Sequence, residues 1–310
     1  MRARPLALTV VGLALGGIIV SIWPSSDDPF EGRAVWTRPD TQVAAAASQA
    51  VGEDRAVLER LAARPTGTWL TPEAFKPGEV GPYVRELVSA ADAADAVATI
   101  VLYGVPGRDC SGLESAGGLS ADRYVDWVDE AAQAAGDAVV VLEPDALATA
   151  VACGGSDRVS LLRQALERLV AHDVATYVDA GHSNWIPVDQ MAELLGAVGV
   201  ERVRGFAVNV SGYQPDADEV AYAEALRKFF PDAHYVIDSS RNGAGATDDW
   251  CNPPGRALGV DPSVVADGSA LDARLWIKPP GESDGTCHGG PPAGTLWVER
   301  ALELASAADL

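Results

Sequence analysis

The feature that most constrains this chain is a rhythm of short apolar runs. They fall at Thr66–Leu70, Thr99–Val105, Ala138–Leu142, Val174–Val178, Gly205–Val210, His234–Ile237 and Arg274–Ile277. Most of the stretches between them carry apolar residues at three- and four-residue spacing, the period of an amphipathic helix. Tyr124, Trp127, Val128 and Ala131 form one such face with Ser120 as its cap. Val159, Leu162, Leu166, Leu169 and Val170 form another behind Ser156, again a residue type suited to capping. Val220, Ala223, Leu226 and Phe230 form a third that Pro231 stops, and Thr41 to Ala63 reads as a further helical stretch. Seven strands alternating with helices call for a parallel sheet with helical crossovers. Strands that are apolar throughout are buried on both faces, as a barrel interior requires. With 310 residues and 48% hydrophobic content the chain can bury one large core, so a single α/β domain of TIM-like barrel size is expected. No GxGxxG follows a strand and no GxxxxGK(S/T) occurs, which leaves a nucleotide fold without support.

The third run opens the stretch AVVVLEPDALA, Ala138 to Ala148. Pro144 cannot donate to a ladder and disfavours the helical region for the residue before it. The strand is therefore expected to end with Glu143 extended. Asp145, held at the exit of a buried strand among apolar neighbours, suits a general acid. Read alone, it is better taken as an N-cap for the helix that LATAV begins; the other aspartates below reverse that order.

Other polar residues repeat this placement. Tyr103, Asp109 and Cys110 follow the second run, and Asp179, His182 and Trp185 the fourth. Asn209 and Tyr213 close the fifth, and Asp238 and Arg241 the sixth. The seventh leads into Lys278, Glu282 and Asp284. In parallel α/β folds this is the edge where ligands bind. The Gly- and Pro-rich interval from Asn242 to Asp272 lacks periodicity, and a loop that long in a compact domain is usually functional. Carboxylates gathered with Trp69, Trp185, Trp250 and Tyr103 suggest a sugar polymer, because pyranose faces stack on aromatic rings. Glycoside hydrolysis needs two carboxyl roles and no histidine. Each residue also has a plainer reading. Asp109 could pair with Arg108 on the surface, Asp284 could be a turn residue, the tryptophans could be half-buried lids, and His182 could orient a loop. Lys278 resists such a reading, since an unpaired buried lysine is costly.

Charge and cysteines set the compartment. Net charge is −21, which argues against nucleic acid or an anionic membrane surface as partner. Arg2 and Arg4 precede an uncharged, largely apolar run from Leu6 to Trp23. Such a start is an export signal, and its length borders on membrane-spanning. Residues 1–25 are therefore read as a signal peptide or N-terminal membrane anchor, and residues 26–310 as the catalytic domain. Export places the protein outside the cell, or tethered to the outer face of the membrane. There Cys110, Cys153, Cys251 and Cys287 form an even set from which two disulfides are expected. Three connectivities are open. The cysteines are not closely spaced and HExxH is absent, so neither a zinc site nor another metal is called for.

The motifs LYGVPGRDCSG (102–112), LEPDAL (142–147), DAGHSNW (179–185), GFAVNVSGY (205–213), VIDSSRNG (236–243), DWCNPPGRALG (249–259) and WIKPPGESDGTC (276–287) stand in this order. Together they resemble glycoside hydrolase family 6, the inverting cellulases, from about Trp69 to Leu304. The resemblance implies a distorted barrel of seven parallel strands, no cofactor, and a β-1,4-glucan or cello-oligosaccharide as substrate. It implies Asp145 as general acid, Asp109 as the carboxylate supporting it, and Asp284 as candidate base. A water relay through Asp109 and Ser115 is the competing account. Tyr103 would lie beneath the distorted sugar, and Trp69, Trp185 and Trp250 would be platforms. His182, Asn209, Arg241, Lys278 and Glu282 would bond the sugar. The disulfides implied are Cys110–Cys153 and Cys251–Cys287. IPVDQMAELL after Trp185 is shorter than the family's usual form, and no cellulose-binding module or linker to one is read in these 310 residues, so weak binding to crystalline cellulose is expected. The expectation is a monomeric endo-β-1,4-glucanase. Its alternatives are an exo-acting cellobiohydrolase, a non-catalytic glucan-binding protein, and a tethered hydrolase acting on an endogenous glucan.

Overall fold

The computed structural model describes residues 28–111, 114–152 and 155–308. The expected signal or anchor, Leu6 to Trp23, lies outside them. Among the described residues no helix is long and apolar enough to cross a membrane.

The strands in chain order are β1 (Ala34–Val35), β2 (Thr68–Leu70), β3 (Ala96–Val97), β4 (Thr99–Leu102) and β5 (Val139–Leu142). They continue with β6 (Ala175–Asp179), β7 (Gly205–Val208), β8 (His234–Asp238), β9 (Ser263–Val264) and β10 (Leu271–Leu275). The helices are α1 (Gln42–Gln49), α2 (Gly52–Ala62), α3 (Val80–Ala93), α4 (Ala121–Ala135) and α5 (Ala146–Ala152). The last four are α6 (Ser156–Ala171), α7 (Val188–Val198), α8 (Asp216–Arg227) and α9 (Val298–Ser306). The main sheet has eight strands in the order β2-β4-β5-β6-β7-β8-β10-β9, and β1 pairs with β3 separately. Every pairing in it is parallel except β9 with β10.

Seven of these strands are the runs expected from sequence. The eighth, β9, is a two-residue antiparallel edge inside the Gly- and Pro-rich interval, too short to leave a periodic signal. The last expected strand lies earlier than predicted, at Leu271–Leu275, because its register begins opposite Tyr235 of β8. The curled sheet does not close through a ladder. Its seam is bridged by Gly67 N–H donating to Trp276 O and Trp69 Nε1–H donating to Ile277 O, both at 2.9 Å. A Cβ on Gly67 would sit 2.4 Å from Ile277 O, so only glycine permits this approach.

Two-residue alternation sorts the sheet's faces. Val101, Val139, Val141, Tyr177, Ala207, Val236 and Leu275 fill the concave interior together with Phe30 from the N-terminal segment. Ile100, Val140, Leu142, Val178, Phe206 and Ile237 point the other way, into a layer with Trp127, Leu162, Leu166 and Leu195 of the helices. Burial on both faces is what the unbroken apolar runs encode.

Local expectations fare unevenly. Thr41 to Ala63 is two helices, α1 and α2, because Ala50 and Val51 are extended. Ser120 occupies the N-cap of α4 without a side-chain cap bond, and α6 is capped by Gly155 with Ser156 as its first residue. The third helix stops at Arg227, short of Phe230.

At the sheet edge where the strands begin, a bulge in β10 leaves Asp272 without a register partner on β8. Its carboxylate accepts from Arg204 Nε and Nη2 at 2.8 and 2.7 Å and from Tyr177 Oη at 2.5 Å, with His234 Nδ1 at 2.8 Å. Burial pushes this carboxyl up, but these partners outweigh it and hold it below the usual carboxylate range. The group is remote from the strand ends that carry the cleft residues.

Candidate active site

The acid loop follows β5. Glu143 and Asp145 have φ of +50° and +67° on either side of Pro144. This corrects the expectation that Glu143 is extended. The left-handed backbone is strained for non-glycine residues and persists only where the surroundings over-determine it. Here the surroundings are the buried Glu143 carboxylate, which accepts Gly104 N–H at 2.8 Å on Oε1 and Val105 N–H at 3.1 Å on Oε2. Burial nonetheless pushes that carboxyl up to about 7. Asp145 donates its own N–H to Asp179 Oδ2 at 2.9 Å, and α5 starts at the next residue. It therefore stands at the helix start. Burial, then the neighbouring Asp179, Asp109 and Asp284, keep its carboxyl protonated well above the usual range.

Behind it lie two further acids. Asp179 is pushed up to about 7 by burial, and its Oδ1 has no hydrogen-bond partner among the described residues. Glu219, fully buried on α8, accepts Ser183 N–H at 2.9 Å and is likewise pushed up to about 7 by burial.

Asp109 is buried and accepts from Tyr103 Oη at 2.9 Å. It does not pair with Arg108. That guanidinium reaches Glu73 at 3.0 Å, donates to Tyr103 O and Ser115 O at 2.6 and 2.8 Å, and lies 4.6 Å over the Tyr103 ring. Arg108 is thus the frame of the loop that carries Asp109 and Ser115.

Asp284 lies in a bend and is buried. Its carboxylate meets Arg241 Nη1 at 2.9 Å and Lys278 Nζ at 3.6 Å and accepts Asn252 N–H at 3.0 Å. Burial raises its pKa, but Arg241 and Lys278 more than offset that and hold the group ionised below the usual range. Lys278 also lies 5.5 Å over the Trp69 ring. The Cys251–Cys287 disulfide ties the segment bearing Asn252 to the one after Asp284. Cys110 is disulfide-bonded as well, while its expected partner, Cys153, lies outside the described residues.

The aromatic residues flank this cluster. Trp69 meets the Tyr103 ring edge-on at 5.2 Å, and Trp185 and Trp250 are 41% and 49% exposed. His182 packs on Trp185 at 5.3 Å, and burial lowers its pKa to about 4, leaving it neutral. A pocket of about 400 Å³ opens beside Trp69 and Glu282, lined also by Phe75, Tyr83 and Arg38. Glu282 is bonded by Gln42 at 3.0 Å. Asn209, expected to bond the sugar, lies deeper. It is fully buried, and its amide is spent on Asp238 O, Gln214 O and Gln214 N–H, so it shapes the floor and does not reach the cleft.

Several residues here escaped the sequence reading. Asn252 holds Ser283, Gly285 and Asp284 together. Glu114 accepts from Thr286 N–H and Oγ1 at 2.8 and 3.1 Å, joining the Asp109 and Asp284 loops. Their partners lie far away in sequence, so neither role is legible from local pattern. Among the described residues no group of three or more His, Cys, Asp or Glu side chains could hold a metal ion.

Comparison with known proteins fits this geometry. The profile of Glycosyl hydrolases family 6 matches residues 30–308. Endoglucanase A of Cellulomonas fimi is 45% identical over 86% of this chain, which spans 60% of that protein's length. Exoglucanase 3 of Agaricus bisporus is 31% identical, over 86% of this chain and 71% of its own. Among solved structures, the endoglucanase Cel6 from Mycobacterium tuberculosis, in complex with methyl-cellobiosyl-4-deoxy-4-thio-β-D-cellobioside, superposes with a TM-score of 0.86. Its identity is 41%, covering 92% of this chain and 100% of that one.

Proposed function

Because the chain belongs to glycosyl hydrolases family 6, we propose that it is an endo-acting β-1,4-glucanase that inverts the anomeric carbon. One observation carries this reading. Two carboxyls in one cleft are driven apart in acidity, Asp145 upward by burial and like charges and Asp284 downward by Arg241 and Lys278. Such a split assigns acid and anion roles to the two groups.

Asp145 protonates the glycosidic oxygen while water attacks the opposite face of the ring. Asp109, bonded by Tyr103, adds the negative charge that helps keep Asp145 protonated. Asp284 is anionic throughout, but its ion pairs make it a weak proton acceptor. Its contribution is to stabilise positive charge at the anomeric carbon, with Asp109 and Ser115 taking the water's proton. Trp69, Trp185 and Trp250 stack the sugars, and Lys278, Glu282 and His182 bond their hydroxyls.

The exposure of Trp185 and Trp250 favours an open cleft and hence endo action. The exo reading rests on the Glu114–Thr286 bridge, which ties two catalytic loops together. Hydrolysis of a soluble cellulose derivative, followed by viscosity and reducing ends, decides between them. We expect a fast viscosity drop that Asp145→Asn abolishes. Steady cellobiose release with slow viscosity loss would favour the exo reading. No activity alongside retained glucan binding would leave a binding protein. The basic start and apolar run from Leu6 to Trp23 support export, and mass spectrometry of the exported protein's N-terminus reports whether that run is cleaved.

A further inference from the structure

Between the loop that carries Asp109 and the helix that begins after Asp145 lies a side chain from a third element. Arg158, on α6, is buried at 9% exposure. Its Nη2 donates to Gly107 O at 2.5 Å and its Nη1 to Thr149 Oγ1 at 2.7 Å. Thr149 in turn donates its hydroxyl proton to Asp145 O at 2.7 Å. The chain is complete in donors and acceptors, since the hydroxyl accepts from the guanidinium and gives its one proton onward. It runs from the backbone of Asp145 to a carbonyl two residues before Asp109. Glu143 and Asp109 are among the acidic groups whose charge acts on this guanidinium.

A planar fork with fixed donor geometry suits a spacer between two loops better than a point charge on a flexible stem. Both loops it links carry a residue with left-handed backbone, φ +67° at Asp145 and +52° at Asp109, so neither loop rests in an intrinsically favoured conformation. We propose that Arg158, acting through Thr149, is a positioning residue that fixes the separation of Asp145 and Asp109. This rests on the hydrolytic reading above. Arg158 touches no substrate; it sets where the acid stands relative to its supporting carboxylate.

The experiment compares Arg158→Lys, Arg158→Ala and Thr149→Val with the wild-type chain, using cellotetraose hydrolysis, cellotetraose binding and thermal melting. Misplacing catalytic groups by about 1 Å costs on the order of 100-fold in rate. We therefore expect kcat to fall roughly 10- to 100-fold in all three variants with KM and binding unchanged. Guanidinium ion at non-denaturing concentration should restore part of kcat in Arg158→Ala, with no change in melting temperature. Arg158→Lys combined with Thr149→Val should lose no more kcat than the worse single variant, because both break one link. Folded variants with wild-type kcat overturn the proposal, as does a loss of kcat that tracks the unfolded fraction. Wild-type protein that leaves cellotetraose intact overturns the hydrolytic reading and this role together. Active wild type with indifferent variants overturns this role alone.

Discussion

Asp145 and Asp284 differ at the scale of single residues because one is surrounded by carboxylates and the other by cations. The consequence is a pH profile. In the proposed mechanism Asp145 acts only when protonated, so activity should fall as pH rises through its raised pKa. Asp284 is there required ionised, so activity should also fall on the acid side, below the usual carboxylate range. We expect a bell with its alkaline limb set by Asp145, read from kcat/KM against pH. Asp145→Asn should lower kcat by roughly 10²–10⁴-fold, the typical worth of a general acid, while oligosaccharide affinity stays. A variant that keeps most of its activity would remove Asp145 from the acid role. Much of this was visible in the sequence, since EPD and ESDG placed both aspartates just past apolar strands. Their acidities were not. Asp284 meets Arg241, Lys278 and Asn252 across 43, 6 and 32 residues of chain, and those distances are closed only by folding.

Among elements, strands were legible and their joints were not. A strand buried on both faces must be apolar at every position, so seven of them stand out without further context. Caps and breaks depend on one or two backbone angles, which is why Ala50–Val51 and Gly155 were missed. Glu143 shows the same limit, because its left-handed turn is dictated by two N–H groups on another loop. The segments around Asn252 and Asp284 are joined by a disulfide spanning 36 residues. Replacing Cys251 and Cys287 together by serine should cost roughly 3–4 kcal/mol of stability, the scale for a loop of that length. Chemical denaturation with and without reductant measures it. Asn252 adjoins Cys251 and donates to Asp284, so the same change should lower kcat in the fraction that stays folded.

For the whole molecule, charge and burial pull against each other. Glu143, Asp179 and Glu219 are raised to about 7 by burial, and Asp145 is raised by burial and its carboxylate neighbours. An acid whose folded pKa is raised binds protons more tightly in the folded state, so stability is lost as pH climbs from the unfolded value toward the folded one. Asp272 and Asp284 are lowered, and their contribution disappears only as pH falls below the usual carboxylate range. Net charge of −21 adds self-repulsion at neutral pH. The melting temperature should therefore rise from pH 8 to about 5 and fall below about 4. A steady decline from pH 8 to 5 would contradict this. At the far edge of the sheet, Asp272→Ala leaves Arg204 buried without its carboxylate and should destabilise by about 3–5 kcal/mol. Urea unfolding tests that, and the pH profile of activity should not move.

The seam between β2 and β10 has a further meaning. One amide and one indole do there what a ladder does elsewhere, and a junction with so few bonds opens more readily than a laddered one. Trp69 is both a stitch in that seam and a wall of the pocket beside Glu282. A sugar resting on its ring, as proposed above, would restrain the stitch from the other side. Deuterium should then enter the Gly67 amide more slowly when cello-oligosaccharide is bound, and occupancy of the cleft becomes a clasp on the barrel itself.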